Sequence, residues 1–189
     1  MLNGKRILGI IPARGGSKRV PFKNITLFRG KPLIQWALEQ AGASKYLDAY
    51  IVSTEDAAIS KHAKERVLWR PDFLAEDKVP TEAVVLHTLY TMPGYDFACV
   101  LQPTSPLRSV EDIDRCIEIA VQKHGLNGQT GCVSYNPFGK RNGAVYVCNS
   151  QHFMQYLSFD AAHHYEMPME RSLDIDYVWD FDANPDRQR

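Results

Sequence analysis

An α/β fold, three layers deep with helices on both faces of a mainly parallel sheet, follows from three observations. Strand and helix signals alternate along the 189-residue chain, the order that builds a parallel sheet through helical crossovers. The first apolar run, Ile7-Leu8-Gly9-Ile10-Ile11, is short, branched and stopped at once by Pro12, which predicts a buried strand. The polar stretches that carry chemistry fall where such strands would end, the edge at which open α/β sheets bind ligands.

After that strand, Leu33, Trp36, Ala37 and Ala41 recur at helical spacing behind Pro32, a residue suited to a first turn. Residues 49–54 predict a second strand, and Glu55-Asp56 start a helix over 56–65. Residues 67–69 form a short third strand, 70–78 an irregular loop, and Pro80 opens a helix to about Thr91. Phe97-Ala98-Cys99-Val100-Leu101 is again strongly apolar and predicts a central strand, halted by the two prolines of Gln102–Arg108. Ser109 and Asp112 have capping-box spacing for a helix to about Lys123. A turn over 128–131, strands at 132–135 and 144–147, a helix near 150–157 and a strand near 164–168 follow. The segment Ser172–Asp180 leads into a last helix. No repeat or linker divides the chain, so residues 1–189 are expected to be one domain.

The chain carries 22 basic and 22 acidic residues, so no net field recruits nucleic acid or a membrane surface. No stretch approaches a membrane span or a signal peptide. Cys99, Cys116, Cys132 and Cys148 lie far apart without C-x-x-C spacing, which favours buried thiols and a cytoplasmic setting over a zinc site or disulfides. His163-His164 lacks a third ligand at sensible spacing and is read as strand. His62 and His87 are read as helix-surface or groove residues, and Trp36, Trp69 and Trp179 as core or interface aromatics.

Two stretches stand out chemically. Ile11–Asn24 combines adjacent glycines, Gly15 and Gly16, with Arg14, Lys18, Arg19 and Lys23. Glycine backbone can approach a ligand closely and form an anion nest, while the cations bind phosphate oxygens. Neither the Walker A string nor the dinucleotide fingerprint is present; a plain basic loop is the simpler alternative. Asp174-Ile175-Asp176 would place two carboxylates on one side of an extended segment. Such a pair repels unless a cation intervenes, and Mg²⁺ prefers hard oxygens and bridges carboxylates to phosphates. A solvated acidic turn with Asp176 as N-cap is the alternative there; Ser53–Asp56 reads as a helix cap and Gln102–Arg108 as a rigid turn.

Taken together, Ala13-Arg14-Gly15-Gly16-Ser17-Lys18 with Pro21-Phe22-Lys23-Asn24, Ser53-Thr54-Glu55-Asp56, Arg70-Pro71, Leu101–Arg108, Asn142–Tyr146 and Asp174-Ile175-Asp176 occur in the order seen in the CMP-sialic acid synthetases (acylneuraminate cytidylyltransferases), which the chain resembles over nearly its whole length. The resemblance implies a Rossmann-like, GT-A-like nucleotidyltransferase fold. It also implies a Mg²⁺-dependent cytidylyltransferase joining CTP to a nine-carbon 2-keto sugar acid, with pyrophosphate released. By resemblance, Ala13, Arg14, Gly15, Gly16, Ser17, Lys18, Lys23, Asn24, Arg70 and Thr81 bind nucleotide, with Arg14, Lys18 and Lys23 catalytic through charge neutralisation. Gln102, Thr104, Ser105, Lys140, Arg141 and Asn142 face the sugar acid, and Asp174 and Asp176 hold Mg²⁺. The sequence departs twice from that pattern. Residues 136–143 replace a longer arm that forms the family's homodimer, which counts against the dimer here. Lys140 stands where the family commonly has arginine, and a point charge cannot fork onto a carboxylate. Another nucleotide and sugar pair, CMP-Kdo-like or GTP-dependent, and a non-catalytic nucleotide- or sugar-binding descendant are the remaining readings.

Overall fold

A computed structural model describes residues 1–126, 129–160 and 162–182. Its first strand, β1 (Ile7–Pro12), has no exposed side chain from Ile7 to Ile11, which is why its apolar run is continuous rather than alternating. Next come a small hairpin of β2 (Leu27–Phe28) and β3 (Lys31–Pro32), then α1 (Leu33–Ala43), β4 (Ala49–Thr54), α2 (Ala57–Ala63), β5 (Val67–Trp69) and α3 (Thr81–Thr91). After them run β6 (Phe97–Leu101), α4 (Val110–Gln122), β7 (Gly131–Tyr135), β8 (Arg141–Asn149), α5 (Ser150–Tyr156) and β9 (His163–Glu166).

The main sheet has the order β5-β4-β1-β6-β8-β7-β9. Every pairing in it is parallel except those of β8, which runs against both β6 and β7. The expected three-layer α/β architecture is therefore present. Residues of α1, α2 and α4 pack on one face with Ile7, Ile11 and Val52, while α3 and α5 cover the other with Leu8, Ile10 and Val100. From β1 the chain first builds outward through β4 to β5, then crosses to β6 on the opposite side of β1. That reversal separates the loops after β1 and β6 and opens a cleft between them.

Two of the expected helix starts hold. The Asp56 side chain accepts from Ala58 N and Ile59 N, and Ser109 and Asp112 form a reciprocal capping box. Helix α2 stops at Ala63 because Lys64 turns to φ 55°. Strand β8 is longer than expected because β6 and β7 pair along it from both sides. Gly131 opens β7 instead of closing a turn, and the start of that expected turn, 128, lies outside the described residues. The last helix is a 3-10 turn over Val178–Asp182; anything beyond it is likewise outside them. All four cysteines are buried free thiols. His163 Nε2 lies 3.0 Å from the Lys123 carbonyl and His164 stacks on Tyr135, so they are strand residues as read. Trp36 packs edge-on against Phe28, but Trp69 and Trp179 are 56% and 68% exposed and are not core residues. Among the described residues no helix is long and apolar enough to cross a membrane.

Candidate active site

A cleft of about 530 Å³ opens at the carboxyl ends of β1, β5 and β6. Four segments line it: Pro12, Arg14, Ser17, Lys18, Arg19, Lys23 and Asn24; then Arg70, Leu74, Glu76, Asp77, Val79, Thr81 and Val84; then Gln102, Pro103 and Thr104; and Asp176. The fold thus gathers on one surface the cradle cations, Arg70 and Thr81, and the start of the Gln102 loop.

On the cradle side the cations are held by carboxylates. Arg14 Nη1 lies 2.8 Å from Asp77 Oδ1, and Lys18 Nζ 2.5 Å from Asp77 Oδ2. The Lys18 hydrogen bond, with the charges of both cations, holds the Asp77 carboxyl below its usual range. Lys23, only 14% exposed, donates to the Ile175 carbonyl at 3.0 Å and to Asp176 Oδ1 at 3.2 Å, and Arg19 reaches Asp176 Oδ2. Buried Asn24 donates to the Arg14 carbonyl, so it shapes the loop from beneath.

The glycine nest differs from the expectation. The Gly15 N–H donates to Glu55 Oε1 at 2.7 Å, and Glu55 Oε2 pairs with Arg70 Nη2 at 2.8 Å. That amide is committed inside the protein. A β-carbon at Gly15 would stand 2.2 Å from Asp56 Oδ2, whereas one at Gly16 would meet nothing within 4 Å. The first glycine is required because Asp56 caps α2 against it. Ala13 is buried and bonded to the Ser53 carbonyl. None of Ala13, Gly15 and Gly16 lines the cleft.

The residues expected to face a sugar acid divide between the cleft and places away from it. Gln102 and Thr104 line the cleft, but Ser105 is fully buried. Asn142 is buried too: its Oδ1 accepts from Ser134 Oγ at 2.6 Å and its Nδ2 donates to Ser172 Oγ at 3.1 Å. Arg141 donates to the Tyr135 hydroxyl and pairs with Asp160 at 2.7 Å. Lys140 is exposed at a tight hairpin turn, where Asn136 Oδ1 accepts from the Phe138 and Lys140 amides. Lys140, Arg141 and Asn142 lie off the cleft because a five-residue turn returns the chain directly from β7 to β8, and Ser105 because it is buried within the loop after β6. The residue that does approach Gln102 is Gly143, with φ +74°. A β-carbon there would stand 3.3 Å from Asp174 Oδ2 and 3.7 Å from Gln102 Oε1.

Asp174 and Asp176 flank buried Ile175, whose amide bonds the Thr104 carbonyl at 2.8 Å. Ile175 packs with Phe28 and Leu33, as the alternation requires. Asp174 is open to solvent yet crowded by protein atoms. That crowding pushes its carboxyl up, the Thr104 hydrogen bond opposes it, and the Asp176 charge adds to it. Asp176 is no helix cap, since its carboxylate goes to Arg19 and Lys23, and the amides of Asp176 and Tyr177 are capped by Asp180. A carboxylate disfavoured by crowding beside a second one suits a hard divalent cation. Among the described residues no group of three or more acidic, histidine or cysteine side chains converges. Water and substrate oxygens would complete such a shell.

The chain just before Asp174 is held at Arg171 by a contact that sequence patterning missed. Fully buried Asp112 receives Arg171 Nε and Nη2 at 2.9 and 3.0 Å and the Tyr165 hydroxyl at 2.9 Å. Ser109 and Asp112 announced only a cap; the contact with Arg171, 59 residues on, has no local signal. Asp77 was hidden similarly, as an ordinary loop acid, and Glu55 was visible only as part of a helix start, not as the partner of Gly15 and Arg70.

Comparison with known proteins fits this geometry. A family model described as "Cytidylyltransferase" matches residues 8–135. The chain is 29% identical over 216 aligned positions to the N-acylneuraminate cytidylyltransferase of Escherichia coli, covering 94% of this chain and 51% of that protein. It is 36% identical over 140 positions to the CMP-N,N'-diacetyllegionaminic acid synthase of Legionella pneumophila, covering 70% of this chain and 58% of that protein. The chain thus spans a little over half the length of these relatives. The first alignment is longer than the chain itself, so that relative carries internal segments absent here. A solved CMP:2-keto-3-deoxy-manno-octonic acid synthetase complexed with CTP shares the fold at a TM-score of 0.72 and 14% identity, over 91% of this chain and 93% of that one. With the matched region running from β1 through β7, the chain belongs to the cytidylyltransferase family.

Proposed function

We propose that this protein activates a 2-keto sugar acid, of the nine-carbon sialic type or a bacterial relative, by transferring CMP from CTP with release of pyrophosphate. The observation that carries this reading is the cleft itself. Arg14, Lys18 and Lys23 line it together with Gln102, Thr104 and Asp176, whose carboxylate Lys23 holds, and Asp174 stands beside Gly143 next to that lining. The names of the two relatives and the family model support cytidylyl transfer to a sugar acid; the particular acid is part of the proposal.

In this reading the acid's anomeric hydroxyl attacks the α-phosphorus in line, the bond to the bridging oxygen breaks, and the hydroxyl proton passes to solvent. Arg14 and Lys18 offset charge on the triphosphate and on departing pyrophosphate, so positioning and electrostatics do most of the work. Lys23, held nearly buried between the cradle and Asp176, fixes the phosphates against the metal segment. Asp174 and Asp176 would hold Mg²⁺, which supplies Lewis-acid polarisation of phosphate and a lower pKa for a bound hydroxyl.

Pyrophosphate release with each nucleoside triphosphate, Mg²⁺ and a panel of nine- and eight-carbon keto acids tests the reading. Release with CTP and one acid is expected. Asp174→Asn should cut turnover by about a hundredfold or more while leaving Tm unchanged or higher, since folding crowds the charged carboxyl. A normal rate in that variant would remove the metal role, and CTP binding without release from any acid would leave nucleotide binding as the function.

A further inference from the structure

Arg108 is among the largest fully buried side chains of the protein, yet it has no carboxylate partner among the described ion pairs. Its Nη1 donates to the Ala144 carbonyl at 2.6 Å and the Gln102 carbonyl at 3.2 Å, and its Nη2 to Gln40 Oε1 at 2.7 Å. The Gln40 amide returns two bonds, to the Pro106 and Arg108 carbonyls. Burial pushes the guanidinium down to about 10, so it remains charged at neutral pH. A buried cation is costly unless its donors are matched; here the two terminal nitrogens are matched by neutral oxygens on three separate elements, while the buried Nε has no hydrogen-bond partner.

Those oxygens lie beside the sugar-acid side of the cleft. Gln102 lines it, and Gly143, next to Ala144, lies against both Asp174 and Gln102 Oε1. We propose that Arg108 is a positioning residue for the acceptor half of the site, its fork tying the backbone at Gln102 to the backbone at Ala144. The proposal rests on the cytidylyltransferase reading. The planar fork matters because a lysine ammonium is a point charge and cannot span acceptors on three elements. The cradle cations have no bond to Arg108, so the nucleotide half is expected to be indifferent to it.

The test compares wild type with Arg108→Met, Arg108→Lys and Gln40→Met. Calorimetry gives the Kd for CTP, pyrophosphate release gives kcat and the KM for the acid, and hydrogen exchange is followed without substrate. Both Arg108 variants should raise the acid's KM about tenfold or more, with the CTP Kd within about twofold, because small misplacements of a bound reactant are expensive. Gln40→Met should shift KM in the same direction by about threefold. An unchanged KM in Arg108→Met, full rescue by lysine, or a CTP Kd weakening in step with KM would overturn the proposal. If Arg108→Met does not fold, Arg108→Lys and Gln40→Met carry the comparison. If wild type releases pyrophosphate with no acid, the functional reading fails separately, and exchange then decides on Arg108. Faster exchange at 102–107 and 143–146 with β1 unchanged supports positioning, and uniform loosening overturns it.

Discussion

With one carboxylate, Asp77 satisfies two cations that a triphosphate would claim, Arg14 and Lys18. Phosphate and Asp77 cannot both sit there without like-charge repulsion. Asp77→Asn is therefore expected to tighten CTP binding several-fold by calorimetry, with the gain shrinking at high salt as exposed pairs are screened; weaker binding would assign Asp77 a supporting role. The adjacent glycines divide by space alone. Gly15→Ala forces a β-carbon into the Asp56 cap, so thermal melts should show a loss of about 1–3 kcal/mol. Gly16→Ala meets open space and should stay within about 0.5 kcal/mol. Both residues are equally visible in the sequence as a Gly-Gly pair. Which of them is obligatory depends on Asp56, far along the chain.

At the scale of elements, α4 does more than cover the sheet. Its capping box turns Asp112 inward, where Arg171 and the Tyr165 hydroxyl bind it, and the segment leading to Asp174 is held to the helix. Burial works against the Asp112 carboxylate, but the Arg171, Ser109 and Tyr165 hydrogen bonds outweigh it and hold the carboxyl below the ordinary range. A group whose pKa is depressed on folding adds stability above its unfolded value, and that stability is lost as pH falls through the folded one. Asp112→Asn should cost about 3 kcal/mol near pH 7, or roughly 6–12 °C of Tm. The gap between the two proteins should narrow below about pH 4. A gap that persisted in acid would mean that packing, not charge, carries the contact. The spacing of Ser109 and Asp112 made the helix start legible; no sequence period reports the pairing with Arg171. The hairpin of β7 and β8 was legible as a short join. Its effect was not: the turn carries Lys140 and Arg141 away from the cleft and leaves Gly143 to meet Asp174.

For the whole molecule, the cleft exists because the strand order reverses at β1. A ligand spanning residues 14–24, 70–84 and 102–104 would tie both halves of the sheet together. Saturating CTP at about 100 times its Kd should stabilise the protein by about 2.7 kcal/mol, or about 5–10 °C in Tm, as read by calorimetric melting. No shift at that concentration would mean that the cleft does not take the nucleotide. The alternation of elements, the buried β1 and β6, the caps at Asp56 and Ser109 and the composition of the cradle were determined by sequence alone, because each rests on contacts or propensities within a few residues. The commitment of the Gly15 amide to Glu55, the burial of Ser105 and Asn142, the Asp77 bridge and the enclosure of Arg108 were decided only by tertiary structure. Each joins side chains tens of residues apart, and whether a polar group faces ligand or protein is set by the partner that the fold brings to it.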